Sequence, residues 1–68
     1  MEKLFARLKE LRKEKGITQA QLGKILGVSE NTIAHYENGR RWPNYYMLKK
    51  LCDFYEESAD YILGFKDY

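Results

Sequence analysis

The sequence predicts an all-α fold, a compact bundle of five short helices. Apolar residues recur at the spacing of one helix face in the longer segments, and residues that can cap a helix begin four of the five segments. No segment alternates apolar and polar residues as a half-buried strand does. The chain holds no internal repeat or flexible linker, so we expect one domain over residues 1–68.

The first two helices are predicted from their ends. Helix one spans residues 2–15, and Gly16 can adopt the left-handed conformation that ends a helix. Thr18 caps helix two, Gln21 completes a capping box, and Gly27 follows the last turn. The expected apolar positions are Leu4, Phe5, Leu8 and Leu11 in helix one and Leu22, Ile25 and Leu26 in helix two.

The other three helices are predicted in the same way. Ser29 caps helix three over residues 30–37, Asn44 caps helix four, and Ser58 caps a short helix five. The loop at residues 40–43 ends in the proline that separates helices three and four. The expected buried stripe of helix four consists of Met47, Leu48, Leu51, Cys52 and Tyr55.

Composition limits the kinds of site that the chain can hold. Its 68 residues include one cysteine and one histidine, so we expect no internal disulfide, no metal site and no cofactor. Catalysis is the least supported function, because no nucleophile, base and orienting group lie at a spacing that brings them together. Cys52 lies on an apolar stripe and is interpreted as a small buried hydrophobic residue.

The charges are distributed unevenly along the chain. Residues 1–43 carry nine basic and five acidic side chains, whereas residues 44–68 carry three and five. An anionic partner is therefore expected to bind the first two-thirds of the chain. The N-terminus lacks the apolar core of a signal peptide, and no stretch approaches the roughly 20 apolar residues of a membrane span. We expect a cytoplasmic protein without membrane contact.

Helices two and three are joined by a tight connection that suits the crossed pair of a helix-turn-helix, predicted over residues 18–38. Gly27 allows the positive φ that such a turn needs, and Val28 can fill the gap between the helices. Gly23 lies in the middle of helix two, where a glycine costs about 1 kcal/mol relative to alanine. We expect it to permit close approach of helix three, and the alternative is a tolerated surface glycine.

These features resemble the Cro/repressor-type (xenobiotic-response-element) helix-turn-helix DNA-binding domains. The matching positions are residues 7–12, 16–19, Leu22, 27–29, 32–33, 36–39, Arg41, Pro43 and 61–64. The resemblance covers nearly the whole chain and implies a lambda-repressor-like fold that binds a double-stranded DNA operator. The sequence departs from the family pattern at Glu56 and Glu57, where a Gly or Asn and then an apolar residue commonly separate helices four and five.

The resemblance also implies roles for individual residues. In that family the residues matching Gln19, Ser29 and Asn38 contact the DNA backbone, so we expect phosphate contacts from these three positions. Residues that match Arg12 and Glu37 often form a partly buried ion pair behind the recognition helix. We expect the same structural ion pair in this chain.

Helix three is the candidate recognition helix, and its faces follow from 3.6 residues per turn. With Ile33 facing the core, Asn31 and His35 lie about 160° and 200° away, on the opposite face. Such helices contact bases mainly through their first turns, so Glu30 and Thr32 on the flanks can also reach base edges. We therefore expect base contacts from Glu30, Asn31, Thr32 and His35.

Two of these assignments have structural alternatives. His35 can donate to a guanine acceptor or to a phosphate, and its alternative is a solvated histidine. Glu30 can accept from cytosine, but an acid near a helix N-terminus is stabilised by the helix dipole whatever its function. Asn31 has the stronger case, because an exposed asparagine inside a helix has poor helix propensity and no evident structural purpose.

The loop after helix three carries the strongest local positive charge. Arg40 and Arg41 are adjacent there, and we expect them to contact phosphates and to make the affinity depend on salt. Their alternative is a solvated loop. Trp42 and Pro43 are expected to shape the loop by packing over helix four.

A single recognition helix makes few base contacts, so we expect a homodimer on two half-sites about 34 Å apart. The expected dimer surface is the C-terminal segment. Its aromatic residues Tyr55, Tyr61, Phe65 and Tyr68 supply more area than five short helices can bury, although some of them must belong to the core. The predicted function is a sequence-specific transcriptional regulator, most simply a repressor that occupies DNA. The alternative is an antitoxin or antirepressor-type module that binds a regulatory protein partner and binds DNA secondarily.

Overall fold

The structure is a computed structural model that describes residues 2–67. Its helices are α1 (Lys3–Glu14), α2 (Gln19–Leu26), α3 (Glu30–Asn38), α4 (Tyr45–Tyr55) and α5 (Ala59–Leu63), with no strand among the described residues. The predicted all-α fold with five helices is therefore confirmed. The observed ends of α1 and α3 differ from the predicted ends by one residue.

Side-chain caps begin four of the helices, at the predicted residues. Thr18 Oγ1 accepts a hydrogen bond from the Gln21 amide at 3.0 Å, and Gln21 Oε1 accepts one from the Thr18 amide at 2.8 Å, which forms the capping box. Ser29, Asn44 and Ser58 each accept a hydrogen bond from the amide three residues further on. These caps satisfy amides that otherwise lack a partner at a helix start.

One hydrophobic core holds the helices together. It contains Leu4, Phe5, Leu8, Leu11, Leu22, Leu26, Ile33, Tyr36, Met47, Leu51, Tyr55 and Ile62. Helix α1 packs against α3 and α5, α2 packs against α3, and α4 packs against α5. Complete burial of one such aliphatic side chain contributes about 1.5–3 kcal/mol, so the bundle depends on most of them.

Three residues predicted to be buried lie further out. Ile25 is 54% exposed, because Leu22, Gly23 and Leu26 face the core and the direction of Ile25 is about 100° from that of its neighbour Leu26. Leu48 and Cys52 are half-buried and line an open groove between α4 and α5. Helix α5 has only five residues and leaves this side of α4 partly uncovered.

The glycine in the middle of α2 marks a close approach of backbone. A Cβ atom at Gly23 would lie 2.6 Å from the carbonyl oxygen of Val28, so a larger residue would collide with the turn. The prediction of a close approach is correct, but the neighbour is the turn that leads into α3 and not the body of α3. Gly27 has φ +80°, and the amides of Gly27 and Val28 both donate to the Gly23 carbonyl at 2.8 Å.

The connection between α4 and α5 contains the departure from the family pattern. Glu56 has φ 55°, a left-handed conformation that glycine or asparagine adopts more readily. Its amide and that of Glu57 donate to carbonyls in the last turn of α4. The chain therefore makes the family's turn with a residue that is poorly suited to it.

Candidate nucleic-acid interface

The start of α3 is held in place by its cap and by the turn before it. Ser29 Oγ accepts a hydrogen bond from the Thr32 amide at 3.1 Å and shares a second one with Thr32 Oγ1 at 2.9 Å. The Thr32 hydroxyl therefore contributes to the cap, and both hydroxyls remain near the surface. This arrangement fixes the first turn of α3, through which a recognition helix reads bases.

The two faces of α3 differ in exposure as the helical geometry predicts. Ile33 is 1% exposed and Tyr36 is 5% exposed, so both belong to the core. The four residues predicted to contact bases are exposed at Glu30 and Asn31 and half-buried at Thr32 and His35. The structure brings all four together on the first turns of one helix.

A buried ion pair joins α1 to α3. Arg12 Nε donates to Glu37 Oε2 at 2.7 Å and Arg12 Nη2 donates to Glu37 Oε1 at 3.1 Å, with side chains that are 11% and 4% exposed. The hydrogen bond to Glu37 raises the pKa of Arg12, against the opposing effect of burial. Arg12 also donates to the carbonyl of Ile17 at 2.8 Å. The pair therefore ties α1 to α3 and to the turn before α2.

The three residues that the resemblance predicts to contact phosphates lie at the ends of α2 and α3. Ser29 caps α3, and Asn38 Oδ1 accepts a hydrogen bond from the Arg40 amide at 3.2 Å. Gln19 is the first residue of α2, and its Nε2 donates to Glu37 Oε1 at 3.2 Å. This link from Gln19 to the ion pair was not predicted, because spacing along one helix gives no signal for a contact between two helices.

Arg40 and Arg41 are exposed in the loop after α3. Their backbone amides donate to the carbonyl of His35 at 3.0 and 3.3 Å, which fixes where the loop leaves the helix. Their guanidinium groups make no hydrogen bond or ion pair with residues 2–67. Two positive charges are thus held beside α3 without internal compensation.

Trp42 contacts a helix that the sequence did not indicate. Its ring makes an edge-to-face contact with Phe5 of α1 at 5.1 Å between centroids, and the residue is 52% exposed. The contact with α1 is additional to the predicted packing over helix four, which stays a prediction. Phe5 lies far from Trp42 along the chain, and only the fold shows that the loop reaches it.

The aromatic residues of the C-terminal segment are divided between the core and the surface. Tyr55 is 6% exposed and belongs to the core, as its place on the predicted buried stripe of helix four requires, so it is not available to a dimer surface. Tyr61 is half-buried, with the Arg7 guanidinium 4.3 Å from the centre of its ring. Phe65 is 78% exposed, and Tyr68 lies outside the described residues.

Arg7 holds the segment after α5 against α1. Its guanidinium donates to the carbonyls of Tyr61 and Lys66 and lies 3.2 Å from the carboxylate of Asp67. Hydrogen bonds and charge from Lys3 and Arg7 lower the pKa of Asp67. At this end of the molecule Lys3 and Arg7 have the Asp67 carboxylate as a partner, in contrast to the arginines in the loop at residues 40–43.

Metal-binding clusters and membrane-spanning helices are absent from residues 2–67. No group of three or more His, Cys, Asp and Glu side chains in this range lies in an arrangement that holds a metal ion. None of the described helices is long and apolar enough to cross a membrane.

Comparisons with known proteins agree with this architecture. A family model described as "Helix-turn-helix" matches residues 8–62. The HTH-type transcriptional regulator ImmR of Bacillus subtilis (strain 168) is 40% identical over 61 residues, which are 90% of this chain and 48% of ImmR. Antitoxin PezA of Streptococcus pneumoniae serotype 4 is 32% identical over 57 residues, which are 84% of this chain and 36% of PezA.

A solved structure is similar over most of both chains. The P22 c2 repressor protein in complex with synthetic operator 9T superposes with a TM-score of 0.83 and 37% sequence identity, and the match covers 88% of this chain and 91% of that chain. The chain spans about half the length of ImmR, so the relatives carry further sequence of their own. Because the family model covers most of the chain and the fold matches, this chain belongs to the Cro/C1-type helix-turn-helix family.

Proposed function

We propose that this chain is a sequence-specific double-stranded DNA-binding transcriptional regulator, and most simply a repressor, which inserts α3 into the major groove. The observation that carries the proposal is the arrangement around α3. Exposed or half-buried polar side chains lie on its first turns, and it is followed by two arginines whose guanidinium groups have no partner among residues 2–67. The match to a repressor solved with its operator supports DNA as the partner. Such a protein acts where the DNA is, so we assign it to the cytoplasm.

The proposed division of contacts follows from chemistry and position. Glu30, Asn31, Thr32 and His35 read base edges, because they lie on the first turns of α3. Gln19, Ser29, Asn38, Arg40 and Arg41 contact phosphates on either side, which sets the register of the helix without reading sequence. The negative charge of Glu30 lowers the affinity for phosphates, so we propose that Glu30 contributes to base selection.

We propose a homodimer on DNA, because one short helix makes too few base contacts for high specificity. The described C-terminal residues support an exposed surface centred on Phe65, next to the half-buried Tyr61. Sedimentation analysis at high protein concentration and with operator DNA tests this. A dimer on DNA is expected, and a monomer under both conditions contradicts it.

The test of DNA binding is fluorescence anisotropy with a labelled mixed-sequence duplex across a salt series. Affinity should fall steeply with salt, and Arg40→Ala with Arg41→Ala should reduce the slope of log K against log salt by about 1.8, because each phosphate neutralised by an arginine contributes about 0.9. Asn31→Ala should leave this non-specific binding nearly unchanged.

The matched control removes two positive charges elsewhere. Lys49→Ala with Lys66→Ala changes the net charge by the same amount but acts on α4 and the segment after α5. Its salt slope should stay close to that of the wild type. Equal slopes for the two double variants would show that total charge, and not the loop after α3, determines binding.

The second candidate function is an antitoxin-type module that binds a protein partner and binds DNA secondarily. The similarity to Antitoxin PezA favours it as the runner-up. A chain that forms a stoichiometric complex with a protein encoded beside it, and fails to bind duplex DNA at low salt, would make this the leading candidate.

A further inference from the structure

We infer that Glu37 is a positioning residue for DNA binding, because it holds the side-chain amide of Gln19 so that the second N–H of this amide meets a phosphate. The inference rests on the proposed function and deepens it. The hydrogen bond between Glu37 and Gln19 connects the Arg12–Glu37 ion pair to the proposed DNA contact at the start of α2. The sequence alone does not indicate this connection.

The geometry around the Glu37 carboxylate carries the inference. Its Oε1 accepts hydrogen bonds from Arg12 Nη2 at 3.1 Å and from Gln19 Nε2 at 3.2 Å, and its Oε2 accepts one from Arg12 Nε at 2.7 Å. The carboxylate is nearly inaccessible, since the Glu37 side chain is 4% exposed. Glu37 is therefore a fixed acceptor, and it orients the Gln19 side chain that it binds.

The Gln19 amide retains capacity for a ligand. A glutamine Nε2 carries two hydrogens, and the described residues supply one acceptor for them, Glu37 Oε1. Gln19 is half-buried, so part of its side chain faces solvent at the first residue of α2. No described residue accepts the second N–H, and we assign it to a phosphate oxygen.

Arg12 makes this arrangement compatible with a phosphate. A carboxylate without a cation would repel the phosphates of DNA. The guanidinium of Arg12, which donates two hydrogen bonds to Glu37, neutralises that carboxylate. The same guanidinium donates to the Ile17 carbonyl at 2.8 Å, which fixes the chain two residues before Gln19. The neutral Arg12–Glu37 pair therefore positions the backbone before Gln19 through Arg12 and the Gln19 side chain through Glu37.

The expected consequence is a loss of affinity when the hold on Gln19 is removed. A free glutamine side chain must be ordered on binding, which costs rotamer entropy. We expect duplex binding to weaken by about three- to tenfold, which is less than the loss of a whole hydrogen bond to a charged group. Because Gln19 is uncharged and releases no counterion, the salt slope should not change.

The main experiment replaces the ion pair by an apolar pair, Arg12→Met with Glu37→Leu. This change leaves the net charge at its wild-type value, and apolar replacements of buried ion pairs often preserve stability. Circular dichroism verifies folding, and anisotropy with the mixed-sequence duplex gives affinity across the salt series. Gln19→Ala removes the whole contact and should lose more affinity than the double variant at every salt concentration. Combining the changes should lose no more than Gln19→Ala loses alone.

A second glutamine in α2 supplies the matched control. The side chain of Gln21 belongs to the capping box and accepts from the Thr18 amide. Gln21→Ala should lower stability and leave the affinity of the folded protein unchanged. If it weakens binding as much as Gln19→Ala does, the effect belongs to the stability of the helix start and the inference is wrong.

Other outcomes separate the inference from the proposed function. A folded Arg12→Met, Glu37→Leu variant with wild-type affinity overturns the inference, as do losses that add fully when Gln19→Ala is combined with it. If the wild type binds the duplex but Gln19→Ala binds equally well, the inference alone fails. If the wild type does not bind the duplex, the proposed function and the inference are both wrong.

A measurement on the wild type decides the question even if the apolar pair prevents folding. The two side-chain amide protons of Gln19 give separate signals in a nitrogen-proton spectrum. Addition of the mixed-sequence duplex should shift one strongly while the other, bonded to Glu37, moves little. The inference is contradicted if neither signal moves.

Discussion

The helix-turn-helix half and the α4–α5 half of this molecule are held by different kinds of polar interaction. The ion pair that α3 makes, Arg12 with Glu37, has side chains that are 11% and 4% exposed. The ion pair within α4, Lys49 with Asp53, has side chains that are 63% and 70% exposed. The difference indicates that precise geometry is concentrated where the proposed DNA contacts lie.

The backbone shows the same contrast. The α2–α3 turn has glycine at its left-handed position, and Gly23 admits the turn at a distance that a Cβ atom would forbid. The α4–α5 turn instead has Glu56 in the left-handed region, beside an open groove of about 320 Å³. Substitution of Gly23 should therefore lower stability, whereas substitution of Glu56 by glycine should raise it.

The largest expected effect comes from removing one partner of the buried ion pair. Arg12→Ala leaves the Glu37 carboxylate buried without its cation, which should cost about 3 kcal/mol of unfolding free energy. For a domain of this size, that is a drop of roughly 15 °C in melting temperature. The exposed pair supplies the control, because Lys49→Ala should cost less than about 0.5 kcal/mol. Equal melting temperatures for the two variants would remove the contrast between the halves.

The next largest effect concerns the close approach at α2. Gly23→Ala should destabilise the fold by about 1–3 kcal/mol, because the new methyl group overlaps the Val28 carbonyl. Urea unfolding followed by circular dichroism measures this. An exposed helical glycine would instead gain about 1 kcal/mol on the same change. A stabilised variant would therefore mean that the turn does not press against α2.

A smaller effect of opposite sign is expected in the other half. Glu56→Gly should raise the unfolding free energy by about 1 kcal/mol, because glycine adopts the left-handed conformation without the steric penalty. Glu57→Gly is the control, since no left-handed conformation is required there, and it should not stabilise. A loss of stability in Glu56→Gly would show that the glutamate side chain makes a contribution larger than the strain.

The smallest effect at neutral pH is expected at Tyr55, whose hydroxyl is buried without a hydrogen-bond partner among the described residues. Tyr55→Phe should change stability by less than about 0.5 kcal/mol at pH 7. Burial raises the pKa of Tyr55 to about 12. The stability associated with this raised pKa is complete below the unfolded value near 10 and is lost as the pH rises through 10 toward 12.

Urea midpoints at pH 9 and above pH 11 measure this dependence. The wild type should lose more stability between the two conditions than Tyr55→Phe does. Parallel losses in the two proteins would show that the Tyr55 hydroxyl ionises as readily in the fold as in the unfolded chain.

Much of the fold follows from local chemistry in the sequence. The caps at Thr18, Ser29, Asn44 and Ser58 are predictable because each requires only a side-chain oxygen three residues before an amide. The outward direction of Asn31 follows from its angle to Ile33 on one helix. These are properties of single helices, which periodicity determines well.

The differences arise where separate elements meet. Ile25 is exposed because packing against the turn selects Gly23, and not Ile25, as the inward position. Trp42 meets Phe5 across the bundle, and Gln19 meets Glu37 between two helices. Contacts of this kind depend on three-dimensional placement, which spacing along the chain does not encode.

A nitrogen-proton chemical-shift titration with a mixed-sequence duplex tests whether the helix-turn-helix half binds DNA. The predicted result is that shifts concentrate at the start of α2, along the first turns of α3 and at Arg40 and Arg41, while α5 changes little. Shifts centred on α5 and the groove beside α4, with α3 unaffected, would contradict the claim.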